Sequence, residues 1–389
     1  SSDLRMGRQL VTAMKTFNAQ FVIPADESSV AVLHALIRQA PHFADIIPPE
    51  QLQILTSSLG HPDRLDGMLY KSVTQQLARK IGVLAPPGGT VASEVEAVEL
   101  AGRIGFPLYV KQSFSWAGWG VARCETQAEM LMALEEAMAR KPGLVKSLVK
   151  RMVDRAWFRS DKGIDLQKGI DGAPAMYCVA AVDGHVAGGF AGFPLRTAGT
   201  NGPSTINELG DHPQMAESAA LMTQALRATG LIGFDFMIEK DSGDAYLLEC
   251  NPRPIQTQHL GGLVGVDLCA ALKRGLDARA AGQTPHFARP TRSARVALFP
   301  QEWAWDPASD ALRVIHHDVP WDDPKLLAAM IELTRPRAEE KLREAERRHA
   351  SKAPAPPEAA AAAEKATPAV AAREDRGLTE ARLIMTQAA

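Results

Sequence analysis

At 389 residues and 46% hydrophobic composition the chain can bury a sizeable core, and its length fits two or three domains. Its 43 Lys and Arg against 45 Asp and Glu leave a net charge of -2. That balance excludes nucleic-acid or membrane-surface binding driven by bulk charge and points to a small-molecule partner. No apolar run reaches the roughly 18 residues of a spanning helix, and "SSDLRMGRQL" lacks a signal-peptide layout, so a cytoplasmic location without a membrane partner is expected. The first residue is not Met, a sign of processing or trimming at the front. Cys124, Cys178, Cys250 and Cys269 are widely spaced with no C-x-x-C pair, and read as reduced core or incidental residues.

In chain order, periodicity predicts a helix around Met6 to Phe17, a short buried strand "QFVIPA", a loop "DESS" in which Ser28 and Ser29 can cap, and a helix through "VAVLHALIRQA". This is one strand-and-helix unit of an α/β layer over residues 1–67, short of the partner strands that a parallel sheet needs. The helix "MLYKSVTQQLARKIG", the turn "APPGG", the helix "SEVEAVELAGRIG" and the strand "FPLYVKQS" follow, the last running into "FSWAGWG". From 165 to 275 the pattern turns strand-rich: "IDLQKGI", "AMYCVAAVDGHVAGGFAGF", a helix from about Pro213 to Thr229, and the pair "IGFDFMIE" and "AYLLEC". The helix "VDLCAALKRGL", the strand "RSARVALFP" and the turn-rich "EWAWDPASD" complete the folded part. Residues 286–336 read as a strand-and-turn extension. Residues 337–389, rich in Ala, Pro and Glu, read as a disordered tail.

The chemistry gathers at "YLLECNPRP", residues 246–254. The strands before and within it are joined by "KDSGD", whose turn formers predict an antiparallel hairpin with Asp235 across from Glu249. Alternation then puts Glu249 and Asn251 on one face with Asp235. Two half-buried carboxylates facing each other repel, so a cation belongs between them, and carboxylate and amide oxygens suit hard Mg²⁺. Arg253, fixed between Pro252 and Pro254, can aim a donor fork at a phosphate or carboxylate. The plainer alternative is a strand-end salt bridge between Glu249 and Arg253.

"GFDFMIE" and "AYLLECNPRP" resemble the metal-binding hairpin of the ATP-grasp superfamily, over about residues 60–275. The resemblance implies an α+β chain: two α+β subdomains gripping ATP at residues 68–285, preceded by the partial pre-ATP-grasp α/β layer. It implies that Asp235, Glu249 and Asn251 hold Mg²⁺, or Mn²⁺, on ATP, with Arg253 at the reacting groups. Upstream, Lys111 ends a β-rich run and precedes Gly118 and Gly120 in a small loop suited to backbone contact with phosphate. The same resemblance makes Lys111 and Lys71 phosphate contacts and places the adenine along "LQKGIDG", with Gln167, Lys168 and Ile170 as its contacts. It gives a basic residue in "FPLRTAGTNGPSTI", here Arg196, a place near the γ-phosphate. The run holding Lys146, Lys150, Arg151, Arg155, Arg159 and Lys162 reads as a solvated face, or as a lid or acidic-substrate patch, and His259 as a packed residue or a substrate contact. The implied activity is that of a ligase activating a carboxylate as an acyl phosphate for attack by an amine, similar to the carbamoyl-phosphate synthase large-subunit branch. A phosphotransferase on the same fold and a non-catalytic ATP-binding module are the alternatives. Carboxylate and amine substrates are the implied partners, and the oligomeric state stays open, a homo-oligomer included.

Overall fold

The computed structural model of the chain describes residues 2–40, 47–112, 121–139, 164–199 and 202–352. It divides into two compact units, Ser1–Gly192 with Gly210–Ser293, and Phe193–Leu209 with Ala294–Ala389. Among the described residues no helix is long and apolar enough to cross a membrane.

The first unit opens with helices α1 (Ser2–Thr16), α2 (Glu27–Gln39) and α3 (Pro49–Leu59), joined through a core that includes Val11, Met14, Leu33, Leu36, Leu55 and Leu59. Asp26 caps α2: its carboxylate accepts from the Ser29 amide at 2.8 Å and the Ser29 hydroxyl at 2.9 Å. An anion at that helix end also meets the dipole, which is why the cap is Asp26 and not a serine. "QFVIPA" carries no strand hydrogen bonds. Val22 packs against the helical core instead, and its amide donates to Ser58 Oγ at 3.0 Å. The apolar run is satisfied by helices, so the described front layer is helical where an α/β layer was expected. The anticipated helix from Met68 breaks at Tyr70, whose extended backbone separates α4 (Leu65–Leu69) from α5 (Lys71–Lys80).

A four-stranded antiparallel sheet follows, from β1 (Gly88–Val91), β2 (Leu108–Gln112), β3 (Val121–Cys124) and β4 (Ile164–Lys168), in the order β1-β4-β2-β3. Leu108, Val110, Ile164 and Leu166 share a core with Ala97 and Ala101 of α6 (Glu94–Ile104) and Met130 and Leu134 of α7 (Gln127–Ala139). Strand alternation therefore sends Tyr109, Lys111, Asp165 and Gln167 to the opposite face. Strand β1 was hidden in the sequence because "APPGG" reads as a turn. At Gly88 any side chain would run into the Leu166 carbonyl, so the glycine is what lets the two strands pair.

The second sheet of this unit takes β5 (Gly172–Val182), β6 (His185–Thr197), β8 (Gly230–Glu239) and β9 (Ala245–Asn251), with β6-β5-β8-β9 antiparallel throughout. Asp183 and Gly184, both at positive φ, make the tight β5–β6 turn. Helices α8 (Pro213–Leu226) and α9 (Leu268–Ala280) pack on its strands.

The chain enters the second unit within β6. There β7 (Ser204–Gly210) pairs antiparallel with β10 (Ala294–Leu298), and β11 (His316–Asp318) runs parallel to β10. "FPLRTAGTNGPSTI" is thus mostly strand where a loop was expected, because β6 continues to Thr197 and β7 starts at Ser204. "EWAWDPASD" yields helix α10 (Gln301–Trp305) ahead of α11 (Ala311–Val314), and α12 (Pro324–Lys352) runs straight through Pro336. Ile331, Ala338 and Leu342, on one helical face, join Phe299 and Trp303 in a core. That shared face carries the helix across the boundary expected at 336. The rest of the tail lies outside the described residues.

Candidate functional site

The hairpin of β8 and β9 brings Asp235 directly across from Glu249, with Asn251 two residues on facing Gly233. The register shifts between Asp235 and Phe236: on the turn side Phe236 pairs with Leu247, so Leu248 is an extra, bulged residue. Without that bulge Asp235 would face Leu248 and Glu249 would point to the other side of the sheet. The bulged carbonyl of Leu248 accepts from Gln75 Nε2 at 2.9 Å, so α5 holds the irregularity in place.

On this face Asn251 Nδ2 donates to Asp235 Oδ2 at 3.1 Å, and Lys71 Nζ lies 2.6 Å from Glu249 Oε2. Burial, then the neighbouring Glu249, pushes the Asp235 carboxyl up to about 8. Burial also works against charge on Glu249, but Lys71, a hydrogen bond from Asp235 and Lys111 together hold it below the usual carboxylate range. The pair therefore shares one proton, with Glu249 the ionised member. From the four-stranded sheet, Lys111 reaches in: Nζ donates to Gln167 Oε1, and burial followed by Lys71 lowers its ammonium to about 8, against the pull of Glu249 and Asp165. Lys71, Lys111, Gln167, Asp235, Glu249 and Asn251 thus form one connected cluster, drawn from a helix N-terminus and two sheets.

The sequence matches the family described as carbamoyl-phosphate synthase L chain, ATP binding domain, over residues 71–165. It is 28% identical over 243 residues to the carbamoyl phosphate synthase large chain of Gemmatimonas aurantiaca, covering 61% of this chain and 21% of that one. It is 25% identical over 201 residues to the C-terminal section of the Aquifex aeolicus large chain, covering 50% and 34%. The chain thus spans about a fifth to a third of these curated relatives. The biotin carboxylase domain of Hydrogenobacter thermophilus 2-oxoglutarate carboxylase, solved with MgADP, ADP and bicarbonate, superposes with a TM-score of 0.53 at 18% identity, covering 74% of this chain and 60% of that one. The chain shares the ATP-grasp fold.

Within this fold the remaining residues of the candidate site divide. Lys168 and Ile170 lie at and just beyond the end of β4, where the Lys168 amide donates to the Pro87 carbonyl at 2.8 Å and Lys168 Nζ donates to Phe106 O at 2.6 Å. Arg253 is not paired with Glu249. Its Nε and Nη2 reach Glu27 Oε1 at 2.8 and 2.5 Å, and Nη1 donates to Pro254 O at 3.0 Å. Arg196 lies on β6 within the second unit and is held at 2.7 Å by both Glu302, which is 0% exposed, and Asp306. Gly118 and Gly120, and the basic run from Lys146 to Lys162, lie outside the described residues. His259 sits in the helical turn Gln258–Val264 and is engaged there.

Three residues that contact the candidate site were missed in the sequence. Asp165 pairs with Lys111 across β2 and β4 and was findable by register. Gln75 and Glu27 carry no sequence signal, because their roles depend on which strand their helices meet.

The donor set fits a hard divalent cation. Asn251 spends its amide nitrogen on Asp235, leaving its oxygen, and two carboxylates converge beside it. Among the described residues no group of three or more His, Cys, Asp or Glu gathers. A cation here would complete its shell with phosphate oxygens.

Proposed function

We propose that this ATP-grasp chain is an ATP- and Mg²⁺-dependent ligase that activates a carboxylate as an acyl phosphate for attack by an amine. The observation that carries it is the convergence of two lysines with Asp235, Glu249 and Asn251 on one face of the β8–β9 hairpin. A magnesium ion, or manganese, bound there with the nucleotide would offset the charge of the phosphates and of the two carboxylates. Lys71 and Lys111 bind phosphate oxygens, and Gln167, through its remaining amide protons, faces the base. Arg253, held against Glu27 at the mouth of the hairpin, orients the carboxylate substrate. Phosphoryl transfer asks little covalent chemistry of the protein, so positioning and charge account for the rate. The bicarbonate and MgADP named with the Hydrogenobacter domain are consistent with this substrate class.

The test is calorimetric titration of MgATP into the chain and into Glu249→Gln, followed by a screen of carboxylates for ADP release in the presence of hydroxylamine. Magnesium-dependent binding lost in Glu249→Gln, with a hydroxamate formed, supports the ligase. ADP release with a stable phosphorylated product and no hydroxamate identifies a phosphotransferase, and binding indifferent to magnesium refutes both.

A further inference from the structure

Away from the nucleotide cluster, the first unit contains a cleft of about 790 Å³, within the roughly 300–1,000 Å³ of small-molecule pockets. Helix α3 lines it with Gln53 and Thr56, the β5–β6 turn with Asp183, the end of α8 with Arg227 and the last turn of α9 with Arg279. None of these residues belongs to the nucleotide cluster.

Arg227 is the informative member. It closes α8 in the left-handed region, at φ 48 and ψ 44, where glycine or asparagine is the unstrained choice. Gly60 is stacked against it so closely that a Cβ would lie 2.7 Å from the Arg227 carbonyl oxygen, which leaves that backbone no room to relax. The chain therefore keeps a long cation at a position suited to glycine. Among the described residues the exposed Arg227 guanidinium has no hydrogen-bond or ion-pair partner. Its neighbour Arg279 donates through Nη1 to Ser57 O at 3.1 Å and stands 3.5 Å from Asp183 Oδ1. Asp183 thus partners Arg279 alone, and the free donors of the two guanidinium forks suit a carboxylate or phosphate.

The cleft also sits at the head of the metal strand. The Asp183 and Gly184 amides tie to Thr229 Oγ1 and Ala228 O, each at 2.9 Å, and β8 begins at the next residue. Asp235 lies five residues further, on the order of 16 Å along a strand, so a ligand in the cleft does not reach the reacting phosphate. We propose that this cleft binds a small organic anion bearing phosphate or carboxylate groups between Arg227 and Arg279, as an effector and not as a reactant.

Calorimetric titration with inorganic phosphate and with citrate tests this on the full chain, on Arg227→Gly, on Arg279→Gln, and on Lys71→Ala as the nucleotide-site control. The expected result is saturable binding of at least one probe that survives Lys71→Ala and weakens about tenfold in each arginine variant, the loss of one charge-assisted contact. Arg227→Gly should melt at or above the wild-type temperature, because it relieves strain. Phosphate or citrate as the tighter probe then names the class. No saturable binding, binding lost in Lys71→Ala and unmoved in Arg227→Gly, or weaker binding that merely accompanies a lower melting temperature in both arginine variants would each overturn the proposal.

Discussion

Replacing Asp235 by Asn should stabilise the metal-free protein while removing its affinity for MgATP. Asparagine reproduces the shape and the donor of the protonated acid, which hydrogen-bonds Glu249 and accepts from Asn251. The carboxyl ordinarily ionises near 3.8 and here near 8, so keeping its proton in the fold at pH 7 costs about 4 kcal/mol as an upper bound, at about 1.36 kcal/mol per pH unit. Residual solvent access and the shared titration with Glu249 reduce this, and about 2 kcal/mol is the working expectation. The sign follows from proton counting. Between pH 4 and 8 the native state holds a proton that the unfolded chain has released, so wild-type stability falls as pH rises through that window. The variant lacks this slope, and the gap between the two should widen from pH 4 to 8. Urea unfolding in EDTA at pH 5, 6, 7 and 8 reads it directly. A variant no more stable than wild type at pH 8, or a gap that narrows as pH rises, would refute the account of the carboxylate pair.

Two further outcomes follow from contacts at other positions. Arg196→Ala strands the fully buried Glu302 and should cost about 3 kcal/mol in chemical unfolding; an unchanged unfolding midpoint with lost ATP turnover would instead assign Arg196 to the chemistry. Gln75→Leu leaves the bulged Leu248 carbonyl without its donor and should cost about 1–2 kcal/mol, with weaker MgATP binding measured by calorimetry.

The β8–β9 hairpin was legible because it obeys rules of local range. Turn formers in "KDSGD" and alternation gave the pairing of Asp235 with Glu249, which the chain reaches through a one-residue bulge. The bulge that makes the register work was not legible, since Leu248 looks like any strand leucine and the reason for its displacement is a glutamine 173 positions away. The same limit explains the misread elements. "QFVIPA" has strand composition, but whether an apolar run becomes a strand depends on a neighbour to pair with, and its neighbours are helices. Pro336 looked like the end of the fold, but the helix continues through it, because Ala338 and Leu342 beyond it are anchored in a core that offsets the lost hydrogen bond and the ring clash. Arg196 sat in a stretch whose Gly, Thr and Ser content suggested a loop, and its carboxylate partners lie more than a hundred residues on.

Helix α5 is fastened to β9 at two points one helical turn apart, Gln75 on the Leu248 carbonyl and Lys71 on Glu249. The first is backbone-directed and indifferent to what occupies the site, while the second is a lone ammonium on a four-carbon stem. Were Lys71 to exchange Glu249 for a phosphate oxygen, as proposed, the anchor at Gln75 would remain, so the helix has no reason to travel. The change of partner becomes a rotamer hop on the picosecond-to-nanosecond scale, not a microsecond displacement of an element. On the proposed reading, nucleotide binding at this end of the site then needs no rearrangement of the helix that carries the lysine.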